Sequence, residues 1–399
     1  MLPLRELCVQ ARSIVAPDAI EASGLRYIGL EHIESGSGRI ADPAAGSGNA
    51  IEVASATFRF GPEHVLYGRL RPYLNKVALP DFQGRCTTEV LPLLPTPLVT
   101  RDYLAFLLRS EAAVNAAQRT AVGSRMPRAD LDELFRQEFS VPSPLDQAVI
   151  VSRLKASMAQ IQHAQMEISS QLALAGRLPN ALLREHFGEA APLAVGGSKR
   201  IDSRWMWAPL LDSCRLESGH TPSRRHPEWW GGDVPWLALP DIRKLHGKFA
   251  YETTENTNDA GLKNSSARLL PVGTVCLCRD ASIGFVTMLG RPMATSQHFC
   301  NWVCNPQTLD PEFLMYAFMA SFDYLRELGS GSVLKTIYMP TIQSFHLCAP
   351  ALEEQRRIAR RLRDRLAAAE ALSSRLRERQ AEIAQLPRRL LAAAFEPVA

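Results

Sequence analysis

No apolar run in the 399 residues approaches the ~18 that a membrane-spanning helix needs. The opening stretch MLPLRELCVQAR carries charge early and lacks the apolar centre of an export signal, so the expected compartment is the cytoplasm. Cysteine is sparse. Eight in a chain this long fit reduced thiols rather than a disulfide framework. Neither sign of charge dominates: a net charge of +4 permits a nucleic-acid partner without demanding one, so any basic footprint must be local. The N-P-P-aromatic motif of an amino-methyltransferase is missing, and so is a P-loop. The Gly-Ser stretches near positions 36, 47 and 330 lack the strand-Gly-helix context of a phosphate cradle and read as loops. Tryptophan is absent from the first half, since all six lie beyond residue 204. The remainder, 46% hydrophobic and 22% charged, has the composition of globular domains, and the length allows two or three of them.

What is present is a duplication. With residue n laid over n+208, Pro142 falls on Pro350, Gln147 on Gln355, Ile150 on Ile358 and Leu154 on Leu362. Leu178-Pro179 then falls on Leu386-Pro387, Leu182-Leu183 on Leu390-Leu391, and Phe187 on Phe395. Upstream, VLYGRLRP at Val65 matches VCLCRDAS at Val275, and RCTTEVL at Arg85 roughly matches ATSQHFC at Ala294. Tyr103-Leu104 answers Phe313-Leu314, and Gly123-Ser124 answers Gly331-Ser332. Halves of this size are far longer than solenoid repeats, so the chain is a two-domain duplication.

Each half has two parts. The first alternates short apolar runs (LRYIGL, HVLYGRL, EVLPLLP; WLALPDI, TVCLCR, FCNWVC) with Gly/Pro turns, as strands do. One helix is embedded in each, TRDYLAFLLRSEAAVNAAQ and DPEFLMYAFMASFDYLREL, giving a mixed α/β domain. The second part is a long helix. The series 154-161-168-175 and 362-369-376-383 have coiled-coil spacing. Pro142 and Pro350 mark its entry, and Asp146, Glu353 and Glu354 suit a helix N-terminus. Pro179 and Pro387 are expected to end it and to open a short helix closing at Phe187 or Phe395. The second domain follows a short Gly/Pro linker, so the two long helices, if paired, run antiparallel. A helix from Asp146 to Gly176 is roughly 45 Å long, about thirteen base pairs of B-DNA. A homodimer zipped through these helices is the alternative.

On the PALEEQRRI phrase at 350–358, its weaker copy PSPLDQAVI at 142–150, LRPYLNKVALPDFQG at 70–84 and SGHTPSRRHPEWWGGDVPW at 218–236, the chain resembles the specificity subunits of type I restriction-modification systems. The resemblance implies a target-recognition domain over 1–141, a spacer helix with short helix over 142–188, and a linker over 189–203. A second target-recognition domain over 204–349 and a second spacer with short helix over 350–399 complete it. The implied fold is a duplicated α/β (α+β) domain joined by long antiparallel coiled-coil helices. The implied partners are double-stranded DNA and two methyltransferase subunits, with room for an ATP-driven restriction subunit and no membrane. The chain itself would be non-catalytic and hold no cofactor. S-adenosylmethionine, ATP and Mg would belong to its partners. Leu145-Asp146-Gln147 departs from the family's Leu-x-Glu-Gln, and the first helix is Gln-rich where the second has eleven arginines, so the two halves need not dock alike.

Arginine grips guanine bidentately and glutamine grips adenine. The candidates in the first half are Arg69, Arg71, Asn75 and Lys76. Arg279 is their registered counterpart in the second half. Ser296, Gln297 and His298 lie opposite Thr87, Thr88 and Glu89. Glu89 has the chemistry to accept from cytosine, but this segment equally suits a turn inside the fold, the reading we favour. Arg125, Arg128 and Lys335 tip loops suited to phosphate. Gln147, Ile150, Leu154, Gln355, Ile358 and Leu362, with Phe187 and Phe395, mark the helices expected to carry partner docking. The short-helix faces suit burial inside the chain as well. Trp229, Trp230 and Trp236 suit packing better than base stacking. Cys276, Cys278, Cys300 and Cys304 suit strand thiols better than zinc, because their spacings are not those of a knuckle. A stand-alone DNA-binding regulator and a coiled-coil scaffold are the rival functions.

Overall fold

The computed structural model describes residues 1–18, 24–41, 55–119, 121, 123, 125–196, 205–330 and 335–395. Ser124, Gly331, Ser332, the Gly-Ser stretch near 47 and the 197–203 end of the expected linker lie outside them. The chain divides into two compact units. One combines Met1–Ser170 with Leu376–Ala399, and the other is Gln171–Arg375.

In the first unit an antiparallel sheet runs in the order Cys8–Gln10, Val90–Pro95, Val65–Gly68 (β1), Val77–Ala78. A second runs Ile14–Val15, Thr57–Phe60, Gly84–Thr87 (β2), Arg26–Ile28, the last pair parallel. Strand β1 is apolar on both faces because both are covered. Val65 and Tyr67 enter one core with Tyr103, Leu104 and Leu107, while Leu66 enters another with Ile28, Phe60 and Cys86. The second unit repeats this in Val275–Cys278 (β3): Val275 and Leu277 face a core with Phe313 and Phe318, and Cys276 and Cys278 face one with Leu237 and Leu289. The cysteines are therefore strand packing. Burial pushes the Cys278 and Cys300 thiols up to about 12. Here β3 belongs to a five-stranded sheet, and Ala294–Thr295 (β4) belongs to a three-stranded one.

The embedded helix is two helices in each unit. Arg101–Arg109 (α1) breaks from Glu111–Arg119 (α2) at Ser110, whose extended backbone ends one helix while its hydroxyl accepts from the Ala113 N–H at 3.3 Å. In the second unit the break falls at Ser321. The long helix Pro144–Ala175 (α3) stops before Gly176, and Pro179 sits in the first turn of Leu178–Phe187 (α4). In the other copy Pro387 ends nothing: Leu352–Phe395 (α7) runs through it unbroken. The second-unit helices between them are Pro311–Ala320 (α5) and Phe322–Leu328 (α6). The difference lies three residues upstream of the proline. Gly176, which costs a helix about 1 kcal/mol relative to alanine, is answered by Ala384. With alanine there, α7 loses one backbone hydrogen bond at Pro387 and continues.

Both helix junctions are built alike. Gln147 is buried, with its amide donating to the carbonyls of Leu98 (2.8 Å) and Pro142 (3.0 Å) and accepting from the Thr100 N–H (2.9 Å). Gln355 donates to Thr308 (3.3 Å) and Pro350 (2.9 Å) and accepts from Asp310 (3.0 Å), each partner in matching register. Ile150, Val151, Leu154 and Met158 at the opening of α3 share a core with Leu390, Leu391 and Phe395 at the close of α7. Leu182, Leu183 and Phe187 of α4 share one with Ile358, Leu362 and Ala369 at the opening of α7. In each unit the start of one long element meets the end of the other.

An ion pair is also duplicated, with different burial. Lys155 meets Asp102 at 2.8 Å in the open, whereas Arg363 grips Glu312, 5% exposed, through Nε at 2.7 Å, and the Tyr316 hydroxyl donates to the same carboxylate. Arg363→Met should cost the second unit about 2 kcal/mol by leaving a buried carboxylate short of donors. Lys155→Met should cost the first under about 1 kcal/mol. Urea unfolding of each variant checks this, and equal losses would contradict it.

Candidate nucleic-acid interface

Three segments converge beyond β1. Leaving the strand, the Arg69 N–H donates to the Glu89 carbonyl (3.0 Å) on the turn after β2. The Arg69 carbonyl accepts from Ala129 (2.9 Å), and the Arg71 N–H donates to Pro127 (2.6 Å) on the loop that follows α2. Arg71 is left-handed, with φ 51°, and Pro72 then opens a single 3-10 turn closed by Asn75 at φ 47°. A non-glycine residue held in that region is fixed by its surroundings, here by bonds on both sides.

The side chains divide into those facing inward and those facing water. Asn75 Nδ2 donates to the Arg109 carbonyl (2.8 Å) at the end of α1, and Lys76 to the Leu30 carbonyl (2.6 Å), so both donors are used inside the unit. Glu89 lies between Arg69 (3.1 Å) and Arg128 (2.7 Å). Burial alone would raise its carboxyl; the two arginines outweigh that and hold it below the ordinary value. Arg71 and Arg125 are exposed and have no ion pair among the described residues.

The second unit repeats the junction. The Arg279 N–H donates to the His298 carbonyl (2.9 Å), the Arg279 carbonyl accepts from Ile337 (2.8 Å), and Ala281 takes the left-handed place of Arg71, with φ 49°. The bridge between Leu70 and Arg128 is answered by one between Asp280 and Thr336. His298 Nδ1 lies 2.5 Å from an Asp280 oxygen. Ser296 is buried beneath the turn. Gln297 is exposed at its tip, where the Thr221 hydroxyl meets its side-chain oxygen. Lys335 is exposed. Arg279 Nε reaches the Gln297 carbonyl at 3.4 Å.

The tryptophan segment brings a feature that sequence reasoning missed. Arg224 lies 3.8 Å over the Trp230 ring and binds Glu255 bidentately at 2.7 Å through both terminal nitrogens. Trp236 is buried, and Trp229 stacks on His226 at 4.1 Å. Asp280 was also missed. Its only signal was an acid registered over Leu70. Gln147, Leu154, Gln355, Ile358, Leu362 and Phe187 are buried in their own units, and Ile150 and Phe395 are half-buried. Among the described residues, no helix is long and apolar enough to cross a membrane.

Residues 203–378 match the family described as type I restriction modification DNA specificity domain. The chain is 29% identical over 162 residues to the MjaIX type I restriction enzyme specificity subunit of Methanocaldococcus jannaschii, covering 40% of this chain and 37% of that one. It is 25% identical over 212 residues to the HindI specificity subunit of Haemophilus influenzae, covering 47% and 45%. The matched stretch thus spans less than half the length of either relative. Among solved structures, the HsdS subunit from Thermoanaerobacter tengcongensis aligns over 100% of this chain and 96% of its own with a TM-score of 0.68 at 18% identity. A chain from a structure of the assembly and conformational transition of the type I R-M system aligns over 99% and 96% with a TM-score of 0.75 at 19% identity. These two likenesses establish the fold. With the family match over residues 203–378 and the same junction built again in the first unit, the chain is similar to the specificity subunits of type I restriction-modification systems.

Proposed function

We propose that this chain is the non-catalytic specificity subunit of a type I restriction-modification complex in the cytoplasm. It binds a two-part site on double-stranded DNA, one part through a target-recognition domain over 1–141 and the other through one over 204–349. The observation that carries this reading is the doubled junction: three segments tied by matching main-chain bonds at Arg69 and Arg279, with exposed cations at Arg71 and Arg125 in one unit, and exposed Lys335 beside half-buried Arg279 in the other. Such cations suit phosphate, and Gln297 at its turn suits a base edge. The helices α3 and α7 dock two methyltransferase subunits through faces other than the buried stripe that carries Leu154 and Leu362, and they leave room for a restriction subunit. S-adenosylmethionine, ATP and Mg would be bound by those partners.

Deleting the chain from its host should abolish adenine methylation at one two-part motif. Exchanging residues 1–140 for those of a relative should change one part of the motif and leave the other unchanged. Methylome sequencing reads both outcomes. Unaltered methylation after deletion, or co-purification without a methyltransferase, would favour a stand-alone regulator or scaffold. A change in both parts would refute the modular assignment.

A further inference from the structure

The position that invites base reading in the first unit is Glu89, because a carboxylate accepts from cytosine. Its oxygens are already engaged. Arg69 Nε lies 3.1 Å from Oε2; Arg128 Nε lies 2.9 Å from Oε1 and 3.1 Å from Oε2; Arg128 Nη2 lies 2.7 Å from Oε1. A carboxylate offers about four acceptor sites, so a cytosine amine would have to displace an arginine.

The second unit supplies an internal control. At the matching turn stands His298, and its carboxylate partner comes from the strand end, where Asp280 replaces Leu70. The acid and its side-chain partner have changed places across the same seam. The feature shared by the two halves is a carboxylate contact that closes the seam, whichever side carries the acid. Resting on the functional reading above, we infer that Glu89 and Asp280 are positioning residues. Each ties the turn after β2 or β4 to the end of the neighbouring strand, Glu89 reaching the loop at Arg128 as well, and so fixes the cations that meet DNA without reading a base itself.

The groups facing Glu89 are Arg69 from its strand end and Arg128 from the loop after α2. Both keep their charge when Glu89 becomes Gln, and they are then free to move. The test uses the full chain with its own partner subunits in the host, comparing wild type, Glu89→Gln and Asp280→Asn. Methylome sequencing gives the motif, titration with a duplex bearing that motif gives the affinity, and thermal unfolding reports the fold. The expected result is an unchanged motif with affinity reduced about threefold to tenfold, as befits a part-exposed charge pair, in variants that unfold within a few degrees of wild type. A changed base at one motif position in Glu89→Gln would overturn the inference and make Glu89 a reader. So would unchanged affinity with an unchanged motif, or gross unfolding of both variants, which would make the pairs plain structural staples. If the wild-type chain supports no motif at all, the functional reading fails and takes this inference with it.

Discussion

Phe187→Ala should lower the unfolding free energy of the unit Gln171–Arg375 by about 4 kcal/mol, near the upper range for deleting an aromatic ring from a packed core. Phe187 is fully buried, its ring 5.4 Å from Phe313 and 5.9 Å from Trp205. These three rings join α4, α5 and Trp205, which precedes the strand Met206–Pro209, within one buried core. The duplicate position gives the comparison. Phe395 is only half-buried, with the Tyr103 ring at 5.3 Å. Phe395→Ala should cost its unit about 2 kcal/mol. Denaturant unfolding followed by tryptophan emission reports the first directly, because all six tryptophans lie in the second half. A loss below about 1 kcal/mol at Phe187 would mean that α4 is not seated as described.

Gln355→Leu should cost about 2–4 kcal/mol although it keeps the side-chain volume and adds apolar surface. The substitution strands the Asp310 N–H and the carbonyls of Thr308 and Pro350 in a site where Gln355 is 3% exposed. Gln147→Leu strands the Thr100 N–H and the carbonyls of Leu98 and Pro142, so it should cost its own unit a similar amount. The two losses, measured by urea unfolding, should agree within about 1 kcal/mol. A clear disagreement would show that the duplicated phrase does different work in the two halves.

The duplication made most of the architecture readable before any coordinates. A constant offset forces equivalent elements, and the apolar runs, caps and heptad positions then fall into strands and long helices. It also picked the three segments that meet at the junction, because Arg69, Glu89 and Arg128 each have a registered counterpart. What escaped the sequence was side-chain direction. Nothing in the string says that Asn75 and Lys76 spend their donors on main-chain carbonyls, or that Gln147 and Gln355 turn inward. Those choices depend on which carbonyls tertiary packing leaves unpaired. Pro387 misled because a proline signal is read locally, whereas Ala384 upstream and the packed closing turns of α7 decide whether the helix survives. Ser110 was invisible inside a good helical pattern because a hydroxyl's preference for the following N–H becomes evident only once the backbone bends.

The two units differ in how the gene delivers them. The second is one continuous stretch, while the first needs Leu376–Ala399, which are made only after the whole of the second. Leu390 and Leu391 belong to the same core as Leu4 and Leu7, so parts of the nascent polypeptide made before and after the second unit must find each other. At roughly 5–20 residues per second on the ribosome, the first unit waits on the order of 10–40 seconds while the second is synthesised. The domain that leaves the exit tunnel first is thus the last to be completed, and any premature stop in α7 leaves it open.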